Sequence, residues 1–166
     1  MLAHRGNTTS LIYGGGGIQS SGVRNNAFGF TSMLYNTTGS YNSALGFQTL
    51  YFNTTGIQNG AFGDGALRAN TYGDSNNAFG YKSQTFNVGG VGNNSMGINT
   101  LYSNVSGNYN TAIGNISLYN VLGSSNIGLG YGAGYRATGS NELYVDNQGS
   151  RATNALEKTN SIIYGV

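Results

Sequence analysis

Apolar and polar positions recur along this chain with a fixed step. A glycine closes an Asn-X-Ala-apolar-Gly pattern at Gly29, Gly46, Gly63, Gly80, Gly97, Gly114 and Gly130. The leading asparagine keeps pace at Asn25, Asn42, Asn59, Asn76, Asn93, Asn110 and Asn126. Five steps are 17 residues and the last is 16. A second glycine column runs Gly22, Gly39, Gly56, Gly73, Gly90, Gly107, Gly123 and Gly139, behind a second asparagine column at Asn36, Asn53, Asn70, Asn87, Asn104 and Asn120. Four columns in register over about seven copies mark a repeat architecture.

The unit is too short for helical repeats, which need roughly 33 or more residues, and this density of glycine opposes helix. It suits one coil of a β-solenoid: short strand, turn, short strand, turn, with Gly and Asn supplying positive φ at the corners. The fold predicted is all-β, a parallel β-solenoid or β-roll of about seven 17-residue coils. At about 4.8 Å per coil, seven coils make a rod about 34 Å long. Stacking brings the asparagines into ladders whose amides can bond along the axis.

Within the predicted first strand, side chains alternate. The large apolar column of Phe28, Leu45, Phe62, Phe79, Met96, Ile113 and Leu129 is expected to fill the core, with Met33, Leu50, Leu67, Leu101 and Leu118 from the second strand. The small column of Ala27, Ala44, Ala61, Ala78 and Ala112 would then form a flat outer strip. A coil this thin buries little for the entropy it loses. The strip is therefore expected to pack against an identical chain.

The array is bounded as 22–140, with 1–21 an N-terminal joint closing a preceding module and 141–166 a C-terminal closing cap. Near-copies at the two ends, "SLIYGG" from Ser10 and "SIIYGV" from Ser161, mark a longer period. Asp146 to Thr159 is expected to be a looped or short helical cap.

The Asn-X-Ala-apolar-Gly pattern, each copy followed by a glycine turn, resembles the head repeats of trimeric autotransporter adhesins. The longer phrase, "NTAIG" at Asn110 with "NELYVDN" at Asn141 and "SIIYG" at Ser161, is similar to the repeat arrays of phage tail fibres and related surface proteins. The resemblance implies a parallel β-roll, a homotrimer, neighbouring fibre modules and an extracellular place on a virion tail fibre or a cell surface. The function it implies is structural, a fibre segment that projects or contributes to attachment to a host surface, its carbohydrate or its protein. A bacterial adhesin head is the alternative.

Composition narrows the chemistry. Tyr and Phe number 20 against 12 charged residues, which argues against disorder. A net charge of +2 without basic runs gives no nucleic-acid footprint. No segment approaches the roughly 20 apolar residues of a helical membrane span. The absence of Cys excludes disulfides and thiol catalysis. His4 stands alone without an orienting partner. Gly14 to Gly17 lacks the lysine and hydroxyl of a phosphate loop. Asp64 and Asp74 are read as turn residues rather than a calcium or acid–base pair. Cofactors and enzymatic activity are not expected. Ice binding, suggested by Thr37, Thr54 and Thr71, lapses at Val88, Val105 and Val121, and a polysaccharide-degrading solenoid would need clustered acids. The tyrosines offer a carbohydrate-stacking surface as a lesser reading. Contact with a receptor is expected first at the variable positions Phe47, Gln48, Ile57 and Gln58.

Overall fold

A computed structural model describes residues 2–3, 10–14, 21–147 and 163–165. It is a parallel β-solenoid with one three-residue strand per coil. The strands are β1 (Leu2–Ala3), β2 (Leu11–Tyr13), β3 (Asn26–Phe28), β4 (Ser43–Leu45), β5 (Gly60–Phe62), β6 (Asn77–Phe79), β7 (Asn94–Met96), β8 (Thr111–Ile113), β9 (Ile127–Leu129), β10 (Leu143–Val145) and β11 (Ile163–Gly165). They form one sheet in chain order. From β2 to β10 every pairing is parallel, and the outermost pairs, β1 with β2 and β10 with β11, are antiparallel. The repeat stays in register throughout, with Ala44 between Ala27 and Ala61, and Leu45 between Phe28 and Phe62. Both end phrases enter this sheet as strands. The expected cap lies, from residue 148 to 159, outside the described residues.

Two asparagine columns and one glycine column repeat together because they make one structure. In the second coil, Asn42 Nδ2 donates to the Gly56 carbonyl at 2.8 Å and Asn53 Nδ2 donates to the same oxygen at 3.0 Å. The pairing recurs on Gly39, Gly73, Gly90 and Gly107. Both lone pairs of a buried carbonyl are thus satisfied from inside the coil. The amide oxygens carry the bonding to the next coil. Asn42 Oδ1 accepts the Asn59 backbone N–H at 2.9 Å, and Asn53 Oδ1 accepts Asn70 Nδ2 at 2.7 Å. The first ladder runs from Asn25 through Asn126 and ends by accepting the Glu142 N–H. The second stops at Asn104. The following coil has 16 residues, so Val121 takes the buried corner where Asn120 was expected, and Asn104 Oδ1 is left without a partner. Asn120 sits half-buried beside it.

The side of the coil opposite the strand is not the second strand that the sequence suggested. It is a run of turns in which residues alternate into the left-handed region, as at Gln48 (φ 52°) and Leu50 (φ 47°). Left-handed backbone costs a non-glycine residue about 1–2 kcal/mol, and it recurs in each coil here. Stacking enforces it. Gln48 N–H bonds back to the Phe30 carbonyl, while Leu50 N–H bonds forward to that of Ala66. Gly63 marks a tighter constraint: at φ 122°, a Cβ there would lie 2.7 Å from the Gly80 backbone.

The strand's facing is the reverse of the expectation. Ala27, Ala44, Ala61, Ala78 and Ala112 are buried, none more than 4 % exposed, and they do not form an outer strip. Phe28, Leu45, Phe79, Met96, Ile113 and Leu129 are exposed, Leu45 at 49 %, and Phe62 is half-buried. The cause is volume. The interior already holds Leu50 and its column mates from the turn side and the two amides at the corner. Opposite them there is room for a methyl group. At the C-terminal end the balance shifts: Gly128 and Gly134 replace Ala and Leu, and Tyr144 fills the space. A Cβ on Gly134 would stand 2.8 Å from the Tyr144 ring. The buried Tyr144 hydroxyl donates to Glu142 at 2.5 Å.

The apolar core comes in two blocks, Ala27 to Ala78 and Leu101 to Tyr144. Between them lies a polar layer. Gln84 takes the leucine position and Ser95 the alanine position, and Gln84 Nε2 donates to Ser95 Oγ at 2.8 Å and to the Asn77 carbonyl at 2.9 Å. Ser83 joins Ser95 to Thr100. Gln84 Oε1 is buried without a partner.

Two stability measurements follow. Asn76→Ala removes an amide from the interior and leaves the buried Asn93 N–H of the next coil unpaired, at about 1–3 kcal/mol. Its urea midpoint should fall accordingly, while Asn77→Ala, one residue on but facing out, should stay within about 0.5 kcal/mol of the parent. Ser95→Ala alone should destabilise, because Gln84 loses an acceptor. The double change Gln84→Leu with Ser95→Ala restores the repeat and removes the orphan oxygen, and should exceed the parent's stability by about 1–3 kcal/mol.

Candidate interaction surface

With the asparagines and alanines turned inward, the outward positions define what the rod can touch. The longest feature is the strand's own outer column: Tyr13, Phe28, Leu45, Phe62, Phe79, Met96, Ile113 and Leu129, one per coil and in register. Tyr13 stacks on Phe28 with centroids 4.9 Å apart, and Phe62 on Phe79 at 4.7 Å. Just past the glycine corner a second, interrupted apolar column exposes Phe30, Phe47, Tyr81, Ile98 and Tyr131. Its interruptions are Asp64 and Asn115. Each turns its side-chain oxygen back to the preceding coil, Asp64 Oδ1 accepting Phe47 N–H at 3.1 Å and Asn115 Oδ1 accepting Ile98 N–H at 2.8 Å.

The turn side carries a ring ladder. Tyr102, Tyr119 and Tyr135 stack 4.9 and 5.0 Å apart, and Tyr35, Tyr51 and Phe52 form a second cluster. Between the clusters the ring position is held by Arg68 and Thr85. Burial, then the neighbouring Tyr102 and Tyr135, pushes the Tyr119 hydroxyl above its ordinary range. A hydrogen bond with Tyr35, then burial, does the same for Tyr51. Lys82 is raised by its hydrogen bond with Tyr81 and that ring's charge. A raised lysine stays cationic and raised tyrosines stay neutral, so these groups do not switch near neutral pH.

The remaining chemistry suggested by sequence is accounted for locally. Asp74 Oδ1 accepts Ile57 N–H at 2.7 Å, at a different corner from Asp64. Among the described residues no group of three His, Cys, Asp or Glu could hold a metal ion. Asn36, Asn53 and Asn104, which each head an Asn-X-Ser/Thr glycosylation triplet, are buried with their amides in the second ladder, so a glycan could not be attached without breaking it. Thr37 and Thr54 hydroxyls donate to carbonyls of the next coil. His4 and Gly15 to Gly17 lie outside the described residues.

The groove where the ring ladder is broken escaped sequence reasoning as a site. It has a volume of about 430 Å³ and is lined by Phe47, Gln48, Asp64, Gly65, Arg68 and Tyr81, with Lys82, Thr85, Phe86 and Tyr102. Its signal was present as departures: Arg68 and Thr85 where four other coils carry Tyr51, Tyr102, Tyr119 and Tyr135, beside a glycine, Gly65, in the adjacent column. Two of the four variable positions singled out as contacts, Phe47 and Gln48, line it. Ile57 and Gln58 are exposed at another corner.

Compared with protein families, with curated proteins and with solved structures, the chain finds no match, and its function is argued from this geometry.

Proposed function

We propose that this chain is a non-enzymatic structural segment of an extracellular fibre, of the phage tail-fibre or surface-adhesin kind, and that it works as a homotrimer. The observation that carries the reading is the exposed apolar column from Tyr13 to Leu129. Eight coils at about 4.8 Å place it along about 34 Å of the rod. Contiguous apolar surface beyond a few hundred Å² is rare on monomers and marks an interface. A column with one constant step matches another copy running the same way, coil against coil. Closed association around the rod axis would cover it without leaving a free face. The number three comes from the resemblance to trimeric adhesin heads and tail fibres.

The rest of the surface agrees with a structural role. The buried polar side chains of the repeat are spent on ladders, turn caps and neighbouring carbonyls. A parallel stack with backbone and side-chain bonds between successive coils resists bending, which suits a part that holds a tip away from its base.

Sedimentation equilibrium should give three times the chain mass of 17.3 kDa. The pair Phe79→Asp and Met96→Asp changes only outward positions, so it should yield monomer, or a marked fall in association, with the β signature of circular dichroism retained. A parent chain that is a stable, well-folded monomer at micromolar concentration would overturn the assembly.

A further inference from the structure

Besides the shortened coil at Val121 and the altered core at Gly128, Gly134 and Tyr144, this rod has a run of irregularities in the coils from Asp64 to Ser95. Inside, the leucine and alanine columns fail at Gln84 and Ser95. Outside, the ring column fails at Arg68 and Thr85, and a glycine, Gly65, opens the adjacent column. Three charged side chains, Asp64, Arg68 and Lys82, line the resulting groove in a chain with only 12 charged residues. A rod that needed only to stack could repeat one coil throughout.

The groove is built from ordered parts. Thr85, buried, donates its hydroxyl to the Gly65 and Lys82 carbonyls at 3.1 and 3.0 Å. Arg68 Nε donates to Gln48 Oε1 at 2.9 Å, and its guanidinium carbon sits 5.4 and 5.3 Å from the Tyr51 and Phe52 ring centres. Lys82 Nζ lies 5.0 Å from the centre of the Tyr81 ring. The cations are thus held by contacts rather than left to solvent. Asp64 spends one oxygen on Phe47 N–H, and its second is available to a hydroxyl.

We infer that this groove binds an acidic saccharide, a pyranose chain carrying carboxylates. Phe47, Tyr81, Phe86 and Tyr102 present apolar ring surface to the C–H faces of a sugar. Arg68 and Lys82 against Asp64 leave a net positive site, and a guanidinium matches a carboxylate in two-point geometry. The volume falls in the range of about 300–1,000 Å³ for small-molecule sites. A neutral sugar would leave the excess positive charge unmatched, and an acidic peptide would make less use of the ring faces. This deepens the reading of the rod as an attachment fibre by naming a ligand class for its shaft.

Calorimetric titration of the full chain, in whatever assembly it adopts, tests the inference with three probes: tetragalacturonate, maltotetraose and tetraglutamate. Tetragalacturonate should bind with Kd of about 0.1–1 mM, the others at least about tenfold more weakly. Arg68→Gln, at a half-buried side chain outside the core, should weaken it at least about tenfold. Thr85→Tyr, which extends the ring column by one coil from Tyr102, should plug the groove with the same loss. Tyr135→Ala, a ring outside the groove, should leave binding unchanged. The inference is overturned by no binding of tetragalacturonate up to about 10 mM, by equal binding of either other probe, or by binding indifferent to Arg68→Gln. Sedimentation of the same samples separates the two proposals: a trimer that does not bind sinks the groove alone, and a monomer that binds sinks the assembly alone.

Discussion

Each coil turns on one glycine carbonyl. The Gly56 oxygen lies in the buried interior of the rod and receives two amide N–H groups, from Asn42 and Asn53. Asparagine is the residue that can do this and still present an oxygen to the next coil, because it carries donor and acceptor on one short stem. The glycine is required because a Cβ at Gly56 would lie 2.4 Å from Asn53 Oδ1 and 2.5 Å from the Gly73 carbonyl oxygen. Coil length follows. The distance between the two asparagines and their glycine has to recur, or the amides miss their acceptors. Where one residue is lost, at Val121, the second ladder ends.

That constraint decides what faces in. Asn42 and Ala44 stand two apart in an extended segment and therefore share a side. Once the amide is internal, the alanine is internal and Leu45 is external. The period, the columns, the parallel solenoid and the asparagine ladders were legible in the sequence. The facing was legible too, through this parity, although the hydrophobicity of the same residues points the other way. In ordinary domains a leucine wins the interior over an alanine. Here the interior is one side chain deep, and Leu50 from the turn side has already taken it.

Other features were out of reach of pattern. A second strand was expected beside Leu50, yet the backbone there alternates into left-handed conformations that leucine, glutamine and lysine do not choose alone. Only the bonds to neighbouring coils hold them, and those belong to the stack rather than to the local sequence. The groove was half visible. Arg68 and Thr85 each break the ring column, but that they adjoin Gly65 and Asp64 in one groove depends on how the coils lie against one another. The outward turn of the apolar column also moves the self-association argument from an alanine strip to the Phe28–Leu129 face, where the surface to be covered is larger and more apolar.

The central claim is that the two asparagine ladders are the interior scaffold, and side-chain amide exchange tests it directly. Hydrogen exchange of the Asn Nδ2 protons, followed by nuclear magnetic resonance, should divide the asparagines into two classes. Asn25, Asn42, Asn59, Asn76, Asn93, Asn110 and Asn126, with Asn36, Asn53, Asn70, Asn87 and Asn104, should exchange as slowly as the β-strand backbone amides. Asn77 and Asn94, on the outer face, should exchange at near-solvent rates. Fast exchange of the ladder amides in a chain whose strand amides are protected would contradict the account.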